Sequence, residues 1–268
     1  MHRHLRLASA ALDLAAHPTT IHHDLWGIPL RTKPIGLDCD VLVGTWPPRA
    51  DLSMTPDAVA ARLARSGIAG ALVASGRGAW FDDVEGNDET LSVATDPWLP
   101  AGTVNLRNAL RAESELDRLV AAGVRAVRLF APTQGADPHF PGYRHVVAQA
   151  AARDLTLLVE GDVRHAWLAY AGRGAKVVFL DVHAYHVADF VLAARDEPGF
   201  VASTRLLNAP DSIETVVGEL GAAHLAFGSR TPLHDTSPSV LRMRRARLSD
   251  VDWDAVTGGT LRTLLGVA

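Results

Sequence analysis

The chain holds one cysteine, Cys39, in 268 residues, so no intramolecular disulfide can form. That usage fits a reducing compartment, and the expected location is the cytoplasm. Long apolar runs are missing too. No stretch approaches the ~20 apolar residues that span a bilayer. The opening His2-Arg3-His4-Leu5-Arg6-Leu7-Ala8-Ser9-Ala10-Ala11-Leu12 mimics a signal peptide, but Asp13 interrupts it and no clear cleavage site follows. An excess of basic residues is absent as well: 26 Lys and Arg face 30 Asp and Glu, a formal charge of −4. This balance argues against a nucleic-acid or membrane-surface partner. No glycine-rich phosphate fingerprint follows the first expected strand, and Gly76-Arg77-Gly78 after the second is too short for one. No internal repeat is evident.

What is present is alternation. Hydrophobic residues make up 48% and charged residues 21%, ordinary for a globular protein. Short apolar runs, as expected of strands buried on both faces, fall at 37–43, 69–75, 99–104, 125–130, 155–160, 176–182, 198–203 and 223–228. Helical patterns lie between them at 55–66, 112–122, 142–153, 163–172, 184–195, 210–220 and 237–247. The first opens at Thr55-Pro56-Asp57, with proline at a helix start. The second ends at Gly123, a C-cap signal. Eight strands alternating with helices predict an α/β fold, a single (β/α)8 TIM barrel over residues 37–268, which needs roughly 250 residues. An open doubly wound sheet is the alternative, but eight repeats favour closure. Residues 1–36 read as a short N-terminal helical extension. They hold five of the twelve histidines: His2, His4, His17, His22 and His23. A metal-binding arm is one reading. A helix and loop covering the barrel's bottom or a subunit contact is preferred, since no zinc-ligand spacing is present.

Leu37-Asp38-Cys39-Asp40-Val41-Leu42-Val43-Gly44 resembles the opening strand of amidohydrolases, apolar-Asp-x-His-x-His-x-Gly, with both histidines replaced. Phe227-Gly228-Ser229-Arg230-Thr231-Pro232 resembles their Phe-Gly-Ser-Asp-x-Pro, with Arg230 in place of the aspartate. Further matching pieces are Gly67 to Val73, Glu85-Gly86-Asn87, Ala122 to Phe130 and the closing Thr257-Gly258-Gly259-Thr260-Leu261-Arg262-Thr263-Leu264-Leu265-Gly266, in which Thr260 stands where asparagine is usual. In order and spacing they resemble the amidohydrolase-related branch that includes lactonases and aryl decarboxylases. The resemblance implies a (β/α)8 fold with the active site at the C-terminal mouth. It also implies loss of the metal ligands: Asp40 and Leu42 in strand one, Glu160 in strand five, Asp181 or Val182 in strand six, and Arg230 in strand eight. No metal or other cofactor is therefore expected.

If the alignment holds, Asp40, Glu160 and Arg230 meet near the barrel axis. An arginine among carboxylates can take the place of a metal, either as substrate-binding machinery or as a buried salt bridge filling the old site. The catalytic candidates are Asp40 or Glu160 as general base, His183 as acid or base, and Arg230. Arg230 and Arg128 offer planar forks for an anionic group, with a strand-end salt bridge the other reading of Arg128. Ser75, Asp181 and His234 are further substrate-binding candidates. Ser75 reads equally as a turn former, and Asp235 beside His234 as a helix cap. Asp181, His183 and His186 form a cluster able to capture a metal in a new way. His186 reads equally as packing or capping the next helix. Cys39 should point out of the barrel by alternation and be structural. The expected function is a metal-independent, amidohydrolase-like enzyme for a small carboxylate-bearing substrate, by lactone, ester or amide hydrolysis or a related lyase or cyclisation step. The alternatives are a catalytically inactive barrel that binds a metabolite or partner, and a metalloenzyme with displaced ligands. A homodimer is possible.

Overall fold

The computed structural model describes residues 30–267. Eight parallel strands, β1 (Asp38–Val43), β2 (Ala71–Ser75), β3 (Trp98–Thr103), β4 (Ala126–Leu129), β5 (Thr156–Val159), β6 (Val177–Phe179), β7 (Phe200–Ser203) and β8 (Leu225–Ala226), pair in sequence order. A Val41–Thr231 bridge draws the two ends together into a nearly closed (β/α)8 barrel. All eight expected strands are present, shortened mostly by one to three residues at their ends. The expected helical extension falls largely outside the described residues, as do the five N-terminal histidines. From residue 30 onward the chain joins the barrel, with Ile35 bridging Ile68 below β1 and β2.

Helix α1 (Pro56–Ser66) follows β1; α2 (Gly76–Trp80) and α3 (Asp83–Val93) follow β2; α4 (Ala109–Ala121) follows β3; α5 (Ala131–Gln134) and α6 (Pro141–Ala152) follow β4. Then come α7 (Val163–Ala166), α8 (Val187–Ala194) and α9 (Ser212–Leu220) after β5, β6 and β7. After β8 the chain closes with α10 (Thr236–Arg244), α11 (Asp250–Asp254) and α12 (Thr260–Leu265). Local chemistry sets the helix ends. Thr55 caps α1 by accepting from the Ala58 amide, with Pro56 in the first turn, and Gly67 ends it in the left-handed conformation at φ 72°. Among the described residues no helix is long and apolar enough to cross a membrane.

Period-two alternation divides the core. Val127 and Leu129, Leu157 and Val159, and Val177 and Phe179 pack outward against the helices. Ala126 and Phe130, Leu158, Val178 and Leu180, Val201 and Ala226 form a separate inner cluster. Burying such apolar layers is worth roughly 25 cal/mol per Å2. Leu261 and Leu265 of α12 join Leu37 in the inner cluster, while Leu37 N donates to Thr257 O and Phe227 N to Val256 O. The closing segment that resembles the family's ending thus ties β1 to β8.

Two differences from expectation have physical causes. Helices α2 and α3 were not anticipated, because Asp82 to Thr90 carries no amphipathic stripe. Asp82 caps α3 by accepting from Glu85 N, and Gly86 lies so close to Gly78 that a Cβ would sit 2.3 Å from the Gly78 nitrogen, so the two helices pack tightly. Asn87 then accepts from Thr103 N (2.7 Å) and donates to Thr103 O (2.9 Å), lashing α3 to β3. The Glu85-Gly86-Asn87 piece is therefore a packing device. Cys39 does not point out of the barrel. Between Asp38 and Val41 the register with β2 slips by one residue, a bulge, and Cys39 is buried in the inner cluster. Burial, with Asp38 and Asp40 adding, pushes its thiol well above the usual range, so it is inert.

Candidate active site

Alternation along β4 puts Arg128 between Ala126 and Phe130, inside the barrel. Its guanidinium is 0% exposed. It donates from Nη1 to Asp40 Oδ1 (2.7 Å) and from Nη2 to Glu160 Oε1 (2.7 Å), and its Cζ lies 4.9 Å from the Phe130 ring centre. Of the two expected readings of Arg128, the salt bridge is the one present. With no exposed surface, Arg128 takes the buried ion-pair position beneath the mouth.

Two more arginines flank this pair. Arg205, in the turn after β7, brings Nη1 to 3.3 Å from Asp40 Oδ2 and Nη2 against Asp181. Its Nε and Nη1 make no hydrogen bond although buried. Arg230 brings Nη1 to 3.4 Å from Glu160 Oε1 and keeps 15% of its side chain exposed. Its backbone is left-handed at φ 58°, unusual for a residue with a Cβ and often a mark of functional sites. So Arg128, rather than Arg230, joins Asp40 to Glu160, and Arg230 closes the cluster from above. Three contacts converge on Glu160 Oε1, from Arg128 Nε and Nη2 and from Arg230. Oε2 has no hydrogen-bond partner among the described residues.

The charges follow from this packing. Burial alone would push the Asp40 carboxyl up; Arg128, Arg205 and Arg230 outweigh it and bring it down to about 2. Burial lowers the affinity of Arg205 for its proton, Asp40 opposes this, and Arg230 and Arg128 add to it. His234 is exposed on the rim, and its proton affinity is shifted down, first by partial desolvation and then by Arg205 and Arg230. Asp38 differs. It is fully buried and accepts from Asp40 N (2.9 Å) and Ser229 N (3.1 Å), yet burial outweighs these bonds and pushes it up to about 7.

Asp38 therefore has a measurable signature. Its folded value lies above its unfolded one near 3.8, so the stability it confers is complete below that value and is lost as the pH rises through about 7. Asp38→Asn keeps an oxygen for the same two amides and cannot ionise. The unmodified protein should lose stability between about pH 5 and about pH 8, and the variant should lose measurably less in urea unfolding at the two pH values.

The remaining candidates lie elsewhere. Ser75 is buried at the end of β2, accepts from Arg77 N (3.0 Å) to cap α2 and donates to Glu89. Its hydroxyl thus serves as the cap of α2. Asp181 accepts from Gly161 N (2.8 Å) as well as pairing with Arg205. Just beyond β6 the inner position belongs to Leu180, while Val182 packs outward. Asp181 is thereby a rim residue. His183 is exposed, its ring 5.8 Å from that of His186, and no hydrogen bond or ion pair joins it to Asp40, Glu160 or the three arginines. His186 Nδ1 lies 3.6 Å from Asp162. The proposed Asp181, His183 and His186 cluster therefore does not assemble. Asp235 caps α10 through Ser237 N (2.9 Å). Sequence reading missed Arg205, although Val201, Ser203 and Arg205 continue one alternating inner row.

A cavity of about 390 Å3 opens beside the cluster between the loops after β4 and β5. Glu160, Gly161 and Asp162 line it on one side, and Ala131, Asp137 and Phe140 on the other. A larger cavity, about 600 Å3, lies away from the mouth between α8 and α9 and holds none of the candidate residues. The barrel centre does not fit a divalent metal. A guanidinium stands between the two carboxylates that would ligate it, and Leu42 supplies no donor in its apolar surroundings.

Eight parallel strands with charged side chains at their C-terminal ends define a (β/α)8 TIM barrel. Its fold is shared by 2,6-dihydroxybenzoate decarboxylase from Rhizobium (TM-score 0.70, 12% identity, covering 87% of this chain and 99% of that one). It is shared too by a dihydroxybenzoic acid decarboxylase from Polaromonas sp. JS666 with bound manganese and the inhibitor 2-nitroresorcinol (0.67, 12%, 87% and 97%). A third is 5-carboxyvanillate decarboxylase from Sphingomonas paucimobilis (0.67, 13%, 87% and 99%). No protein-family model and no curated protein sequence matches the chain.

Proposed function

We propose that this chain is an enzyme acting on a small carboxylate-bearing organic substrate at the barrel mouth, without a metal in the barrel centre. The reaction is hydrolysis of a lactone, ester or amide, or a related lyase or cyclisation step. The observation that carries this reading is Glu160. One oxygen is anchored by Arg128 and Arg230, the other has no hydrogen-bond partner among the described residues, and the residue lines a cavity large enough for a small aromatic or aliphatic acid. Asp40 is fully buried and held to about 2, a poor base, which leaves Glu160 for proton transfer.

Arg230, with part of its guanidinium exposed, offers the fork for the substrate's carboxylate, and His234 lies under the influence of the same cation. Arg205 stands behind them, its buried Nε and Nη1 making no hydrogen bond among the described residues although Nη1 faces Asp40. Without a metal to generate hydroxide, unactivated amides become hard targets. An activated ester, a lactone or a carbon–carbon bond beside an electron sink suits the site better. The similar folds whose names denote aryl carboxylate decarboxylases support the carboxylate class.

Calorimetric titration with benzoate and hydroxybenzoates on chelator-treated protein tests the anion subsite. Saturable binding that weakens roughly tenfold or more in Arg230→Ala is expected, since hydrogen bonds to charged groups are worth about 1.5–3 kcal/mol. Equal affinity in both proteins removes Arg230 from the site.

A further inference from the structure

Asp137, His139 and His165 form a cluster outside the arginine–carboxylate centre. One ligand atom from each lies within 4.8 Å of the other two. Asp137 Oδ1 is 3.0 Å from His139 Nδ1, Asp137 Oδ2 is 3.1 Å from His165 Nε2, and the two imidazole centres are 4.4 Å apart. Ligands around a tetrahedral zinc ion, each about 2.0–2.1 Å from it, are separated by about 3.4 Å, so small side-chain movements suffice. The backbone holds the cluster ready. Asp137 Oδ1 also accepts from the His139 amide at 2.8 Å, which fixes the turn before α6, and His165 sits within α7.

We infer that Asp137, His139 and His165 bind a divalent first-row transition ion, of which zinc is the best match to two imidazoles and one carboxylate. The position bears on function. Asp137 and His165 line the cavity that contains Glu160, and His165 and His139 also line a smaller one of about 220 Å3 on its far side. An ion here would clip the loop after β4 to the loop after β5. With three protein ligands it would keep at least one position for water or an anion. This is a different location from the barrel centre, and it stands whether or not Glu160 is a base.

All three side chains are at least a third exposed, so their removal should leave the fold intact. The test is a titration of metal-free, full-length protein with Co2+, read by its visible absorption, followed by displacement with Zn2+. The unmodified chain should show one saturable equivalent that is absent from His139→Ala and His165→Ala. Failing absence, it should be weakened by at least the roughly 10–100-fold that losing an outer-shell partner costs. Cobalt held by the N-terminal histidines would be common to all three proteins and would cancel in the comparison. Equal stoichiometry and affinity in the three proteins, or no cobalt binding by the unmodified chain, overturns the inference.

Discussion

Arg128→Met should lower the melting temperature by roughly 6–20 °C. The substitution leaves Asp40 and Glu160 buried without the guanidinium that sits 2.7 Å from each. Breaking a buried pair by removing one partner costs about 3–5 kcal/mol, and each kcal/mol moves a domain of this size by about 2–4 °C. Arg128→Lys should recover little, because a point charge cannot replace a fork that spans two carboxylates. The effect should depend on pH in a fixed direction. Asp40 is held at about 2 against an unfolded value near 3.8, so its contribution is complete above that value and is lost as the pH falls toward about 2. The gap between the unmodified protein and Arg128→Met should therefore narrow between about pH 4 and about pH 2. A gap independent of pH in urea unfolding would mean that the loss comes from packing against Phe130 rather than from the charges.

Glu160→Gln should reduce kcat/KM by about 10²–10⁴-fold on whichever substrate is turned over, the usual range for a lost general base or acid. The amide keeps the volume and can still accept from Arg128, but it cannot take a proton. Stability should fall as well, because Arg128 and Arg230 lose a counter-charge. Kinetics are therefore to be measured well below the melting temperature. His183→Ala should leave kcat/KM unchanged, since that ring is exposed and makes no bond to the cluster. The two variants together discriminate between active sites. Loss in Glu160→Gln with none in His183→Ala supports the cavity beside β5 as the reaction site, and the reverse would move it to the turn after β6.

The barrel was legible because its strands are apolar on both faces and separated by helical patterns, and each strand falls where the runs of Val and Leu predict. The site was legible in part. Asp40, Glu160 and Arg230 converge because all three continue inner rows of strands whose register the sequence defines. Three physical effects hid the rest. A bulge in β1 turned Cys39 inward, against simple alternation. The sixth strand ends at Phe179, so its rim residues leave the inner row and His183 stays outside. Arg205 lies beyond the end of β7, yet its spacing from Val201 and Ser203 carried the signal. The Asp137, His139 and His165 cluster comes from two loops and has no spacing signature of its own. The loss of both strand-one histidines was the plainest message, and the fully buried guanidinium of Arg128 supplies its physical counterpart.

The central claim is that an arginine, rather than a metal, joins the two carboxylates at the heart of this barrel. The most direct test is a crystal structure of protein grown with zinc, with anomalous data collected at the zinc edge. The account predicts guanidinium density between Asp40 and Glu160 and no anomalous peak there, whatever appears at the loop histidines. A peak bound by Asp40 and Glu160, with Arg128 displaced, would contradict it.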